Sequence, residues 1–153
     1  TSCGFLAPFQ KEIQESLDIP VVVSSISQLS EIEKIYSPEQ LVILTIAADK
    51  LCAKHLPEEF SKYSECICGL GKSSYLHKVI YEDMMIFDEE KVADELLTVF
   101  KEACNDNTDA LLLECTNMPP YKQDLKQFKP VKIFDILSAI EALLPNTVKP
   151  TYL

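Results

Sequence analysis

One pattern occurs twice in this chain, and it constrains the fold more than any other feature. Cys3-Gly-Phe-Leu-Ala-Pro-Phe-Gln-Lys-Glu-Ile13 aligns with Cys115-Thr-Asn-Met-Pro-Pro-Tyr-Lys-Gln-Asp-Leu125. Pro8 matches Pro120, Phe9 matches Tyr121, Glu12 matches Asp124 and Ile13 matches Leu125. Each copy is followed by a Pro-Val start, Pro20-Val-Val-Val23 and Pro130-Val-Lys-Ile133. A repeat of this kind implies related structural units. Here it implies two α/β units, each presenting one thiol at the same position. No strand precedes Cys3, whereas Ala110-Leu-Leu-Leu-Glu114 precedes Cys115, so the repeat predicts a further strand upstream of residue 1.

Apolar periodicity supplies the elements. Phe5, Leu6, Phe9, Ile13 and Leu17 share one helical face, predicting a helix from about 6 to 17. Pro8 is tolerable in the first turn, where backbone N–H groups lack intrahelical partners. Strands are predicted at 20–24, 41–46, 64–70, 109–114 and 131–134. Helices are predicted near 26–35, 50–56, 75–83, 88–104, 119–128 and 136–144, with Asp88 as the N-cap of the longest. Alternating strands and helices mean βαβ units around a parallel sheet. Both cysteines then lie at the carboxyl end of a strand, where open α/β sheets bind ligands. The expected division places 1–28 and 131–153 in a first α/β domain and 29–130 in a second.

Composition narrows the partners. The chain has 153 residues and a net charge of −10, which argues against nucleic acid and anionic membranes. All fourteen cations are lysines, so a substrate carboxylate has no bidentate guanidinium to meet. Backbone amides, hydroxyls, side-chain amides or lysine must hold it. Six cysteines in a chain with good apolar strands read as reduced thiols of a cytoplasmic protein rather than a disulfide framework.

A thiol at a helix N-terminus feels the helix dipole and nearby amide donors, which lower its pKa. Ser2 and Gly4 flank the first thiol, Thr116 and Asn117 the second. The latter two can hydrogen-bond a carboxylate. Removing a proton from carbon next to a carboxylate builds charge on oxygens already anionic, and donors aimed there are the main help available. One thiolate can take that proton while the opposed thiol returns one from the other face. The arrangement requires no metal or cofactor.

Thr1-Ser-Cys-Gly-Phe-Leu6, Leu112-Leu-Glu-Cys-Thr-Asn-Met-Pro-Pro-Tyr121 and Val131-Lys-Ile-Phe-Asp-Ile136 resemble the aspartate/glutamate/hydantoin racemase family, over roughly the last two-thirds of a member. The resemblance implies two pseudo-symmetric α/β domains, with part of the first absent here. It implies cofactor-independent racemisation or epimerisation of a small carboxylate-bearing substrate in an interdomain cleft, often in a homodimer. Carried over by motif, Cys3 and Cys115 are the acid/base thiols, and Ser2, Gly4, Thr116 and Asn117 the substrate-binding positions. Gly4-Phe5 and Asn117 depart from the glutamate racemase pattern, so the substrate stays open. A cis–trans isomerase such as a maleate isomerase, and a non-catalytic or truncated small-carboxylate-binding relative, are the alternatives.

Other signals are weaker. Gly69-Leu-Gly-Lys-Ser73 lacks the first glycine of a phosphate loop, since Cys66 stands there. Cys52 with His55 and Cys66 with Cys68 lack the knuckle spacing of a zinc site. His77 is expected on a solvent-facing helix surface.

Overall fold

The computed structural model describes residues 3–153. Its centre is a parallel sheet of four strands, formed by β1 (Leu41–Thr45), β2 (Ile67–Gly69), β3 (Ala110–Leu113) and β4 (Lys132–Phe134), in the order β2-β1-β3-β4. All three pairings are parallel. Six α-helices accompany the sheet: α1 (Gln10–Glu15), α2 (Leu29–Ile32), α3 (Tyr75–Tyr81), α4 (Glu89–Ala103), α5 (Lys122–Phe128) and α6 (Ile136–Leu143). The α/β class with a parallel sheet is therefore as expected. β4 pairs with β3, so residues 132–134 belong to the same sheet as β1 and β3.

The two central strands are buried throughout, and apolar but for Thr45 at the end of β1, because both faces are covered. Side chains alternate sides along a strand. Val42, Leu44, Leu111 and Leu113 pack with Val92, Leu96 and Phe100 of α4 and Leu125 of α5. Leu41, Ile43, Ala110 and Leu112 pack on the opposite face with Leu29 and Ile32 of α2, Phe60 and Tyr63. Burying a side chain such as Phe100 or Leu112 contributes roughly 1.5–3 kcal/mol. Asp88 caps α4 as expected, its carboxylate accepting from Lys91 N at 3.1 Å.

The N-terminal region differs from the sequence expectation. The helix at 6–17 is a 3₁₀ segment, Gly4–Phe9, followed by the short α1. Pro8 lies inside the 3₁₀ segment, where its missing N–H breaks the regular α-helical ladder. Among the described residues, the segment 20–24 expected as a strand joins none of the four strands of the sheet. Glutamines of α1 stand in for a neighbouring strand. Val21 N donates to Gln14 Oε1 at 2.7 Å and Val23 N to Gln10 Oε1 at 3.0 Å, while Gln10 Nε2 donates to Val21 O at 2.8 Å. The backbone groups of a buried segment must be satisfied, and here side chains do it. The helix expected at 50–56 shrinks to a 3₁₀ turn, Ala53–His55, and residues 58–66 are 3₁₀ before β2 begins.

Candidate functional site at the carboxyl ends of the strands

β1 and β3 run side by side and end at Thr45 and Leu113. The next residue after β3, Glu114, is only 7% exposed. Its backbone N still donates to Leu44 O at 2.9 Å, so it continues the ladder. Its carboxylate reaches in two directions. Oε2 accepts from Thr45 Oγ1 at 2.7 Å, and Oε1 accepts from the backbone N of Gly4 at 2.9 Å. Burying a charge this far requires such partners. The second bond ties the first cysteine motif to the second. Cys3 N in turn donates to Val23 O at 3.1 Å, and Ser25 Oγ donates to Leu113 O at 2.8 Å.

A side chain at Gly4 would displace the Glu114 carboxylate. A Cβ at this position would lie 2.2 Å from Glu114 Oε1 and 2.8 Å from its Cδ. Gly4, expected as a substrate-binding position, donates its N–H to Glu114. Gly69, at the end of β2, is equally tight, its notional Cβ 1.9 Å from Thr45 O.

Cys115 follows Glu114 and is partly buried. Burial pushes its thiol pKa up, the Glu114 carboxylate and a thiolate at Cys3 push it further, and hydrogen bonds from the Asn117 backbone and side chain oppose the rise. Asn117 Nδ2 lies 3.7 Å from Cys115 Sγ. The acidified thiol expected of a helix N-terminus is therefore corrected for Cys115. The turn after it begins Pro119-Pro120, residues with no N–H to offer, and α5 proper starts only at Lys122. Cys3 is exposed. Thr116 and Asn117, which follow Cys115, are exposed and line grooves at this end of the sheet. One, of ≈ 600 Å³, also has Lys122, Ile136 and Tyr152 in its wall. The other, of ≈ 480 Å³, has Ile80, Phe87 and Tyr121. Ser2 lies outside the described residues.

Sequence reasoning missed Glu114 and Thr45. The signal was a carboxylate closing an apolar strand directly before the nominated cysteine. Lys122 was missed too. It is 7% exposed and pairs with Asp135 at 2.8 Å, while donating to Tyr152 O. Asp135 Oδ1 caps α6 by accepting from Ser138 N at 2.8 Å. His77, expected on the surface, is 7% exposed and stacks on Tyr81 at 4.0 Å between ring centroids.

A cavity of ≈ 580 Å³ lies at the opposite, amino ends of the strands, between Leu41, Asn105, Cys66 and Cys68. Burial pushes the Cys66 thiol up to about 11 and Cys68 to about 12. Thiols so held stay protonated and unreactive. Among the described residues no group of three His, Cys, Asp or Glu side chains could hold a metal ion. No helix there is long and apolar enough to cross a membrane.

Fold and site thus define a parallel α/β unit in which two cysteine-bearing motifs meet at the strand ends, joined by the hydrogen bond from Gly4 N to the buried Glu114 carboxylate. No known protein-family model matches the chain. It is similar to dimethylsulfoniopropionate lyase of Durusdinium sp. clade D, 26% identical over 160 residues covering 97% of this chain and 52% of the relative. The chain spans about half the length of the curated relative it matches. This finding corrects the sequence reading. The relative is a lyase, so membership of the aspartate/glutamate/hydantoin racemase family is not supported, nor are isomerase activity and a place in amino-acid racemisation. The physical reason lies in what the motif encodes. A thiol beside carboxylate-binding donors specifies removal of a proton, whereas the reaction class is set by what the resulting carbanion does next.

Proposed function

We propose that this chain supplies the base of a lyase that acts on small carboxylates bearing a leaving group on the β-carbon, of which dimethylsulfoniopropionate is the example its relative's name provides. The observation that carries the reading is the Cys115 environment: a partly buried thiol, held by Asn117, beside exposed Thr116 at the end of β3. Cys115 Sγ removes the proton from the carbon next to the carboxylate. The C–H electron pair forms the alkene as the β-carbon–sulfur bond breaks, and dimethyl sulfide departs neutral, leaving acrylate. Burial raises the basicity of the thiolate, which suits a carbon acid of low acidity. Thr116 and Asn117 are placed to donate to the substrate carboxylate. A net charge of −10 favours approach of a cationic sulfonium.

Elimination needs one base and no acid for a neutral leaving group, so the two thiols have unequal work. Cys115 is the base, and Cys3 a wall of the site. The two-unit organisation, 1–28 with 131–153 beside 29–130, belongs to the same reading. The matched thiol motifs support it, and the pairing of β4 with β3 is what it must accommodate. A reducing, cytoplasmic setting and a possible homodimer complete the proposal; six free thiols fit the former.

The test is incubation of the protein with dimethylsulfoniopropionate, following dimethyl sulfide by gas chromatography and acrylate by proton NMR. Equimolar release that disappears in Cys115→Ser is expected. Release that persists in that variant, or none from the intact protein, refutes the assignment.

A further inference from the structure

We propose that Cys52 and His55 form a second nucleophilic site, separate from Cys115, which adds to activated alkenes, that is, α,β-unsaturated carbonyl compounds. Cys52 is exposed, and its Sγ lies 3.6 Å from His55 Nδ1. The backbone N of Cys52 donates to the same Nδ1 at 3.2 Å. A nitrogen that accepts an N–H carries a lone pair, so the ring proton sits on Nε2 and the thiol shares that Nδ1 lone pair with the backbone N–H as a second donor. That is the geometry of a nucleophile beside its general base. The turn keeping the residues three apart is closed by His55 N donating to Cys52 O at 2.8 Å. Phe5 packs edge-on against the imidazole, ring centroids 4.7 Å apart at 88°. Burial, and then the neighbouring Lys54 charge, lower the His55 pKa, which keeps the ring neutral and able to accept a proton.

The other thiols lack this arrangement. Cys66 Sγ donates to Pro38 O and Cys104 Sγ to Lys101 O. Cys68 is held protonated by burial. Among the described residues no group of three His, Cys, Asp or Glu side chains that could hold a metal ion includes Cys52 or His55.

The choice of substrate class follows from the proton. A neutral thiol–imidazole pair retains one proton, and addition to an activated alkene consumes one. The Sγ–Cβ bond forms as the alkene π bond opens, and the thiol proton passes through Nδ1 to the α-carbon. Nothing leaves and no oxidant is needed. Oxidation by peroxide would instead favour a standing thiolate. Acrylate, the product of the elimination proposed above, is a member of this class, but the inference does not depend on that reading.

Acrylamide is the probe, with labelling of each cysteine followed by mass spectrometry near neutral pH. Cys52 is expected to react faster than Cys104. His55→Ala should slow Cys52 by about tenfold or more while leaving Cys104 unchanged. Cys68 reports folding in the same digest; if it becomes labelled in His55→Ala, the milder His55→Gln is read instead, with the same expectation. A Cys52 rate that is unchanged in the folded variant, or no faster than that of Cys104 in the natural protein, overturns the proposal.

Discussion

Replacing Gly4 by alanine puts a methyl group into space held by the Glu114 carboxylate. The added Cβ would lie 2.2 Å from Oε1 and 2.8 Å from both Cδ and Cγ, all closer than carbon contacts allow. Glu114 cannot simply swing away, because Thr45 Oγ1 holds Oε2 at 2.7 Å and the side chain is buried. Either Gly4 or Glu114 must move, and the 2.9 Å bond between them is lost. A hydrogen bond to a charged group contributes about 1.5–3 kcal/mol, and overpacking costs about 1–3 kcal/mol. Gly4→Ala should therefore destabilise the fold by roughly 3–5 kcal/mol in urea melts. Glu114→Ala should be destabilising as well, since it leaves the Gly4 N–H and the Thr45 hydroxyl without their acceptor. The double variant carries the argument, because removing Glu114 makes room for the new methyl group. Its cost should fall short of the sum of the two single costs by well over the roughly 0.5 kcal/mol within which independent sites add. Additive costs, or a Gly4→Ala effect below about 0.5 kcal/mol, would refute the clamp between the two cysteine motifs.

Three further outcomes follow from the same geometry. Cys115→Ser should abolish elimination from dimethylsulfoniopropionate while Cys3→Ser retains a substantial fraction of it; equal losses in initial-rate assays would contradict the unequal roles. Because burial raises the Cys115 pKa above the ordinary thiol value of 9.0, the base is mostly protonated at neutral pH. The rate should thus climb about tenfold per pH unit from neutrality towards pH 9, and a flat pH–rate profile would exclude this thiol as the base. The linked stability runs the other way: a raised folded pKa favours the protonated fold, so its contribution is intact below 9.0 and is lost as pH rises past it. Lys122→Ala leaves Asp135, 1% exposed, without its partner at 2.8 Å, and should cost about 3–5 kcal/mol in thermal or urea unfolding; a loss under about 1 kcal/mol would show that solvent reaches the site.

The sequence by itself determined the parallel α/β class, because strands alternating with amphipathic helices leave few other ways to bury Leu41–Leu44 and Ala110–Leu113 on both faces. It also marked Cys115 and its neighbours at a strand end, since the position of a motif between strand and helix is a local property. Local pattern did not reveal which groups meet across 110 residues of chain: the bond from Gly4 N to Glu114 Oε1 exists only once β3 lies beside β1 and the first motif folds over their ends. Nor did it reveal that glutamines of α1 would satisfy the backbone at Val21 and Val23 in place of a strand. The acidity of Cys115 was misjudged for the same reason. A helix start suggested a lowered pKa, but desolvation depends on what packs around the sulfur, and only the tertiary structure packs the buried edge of the sheet there.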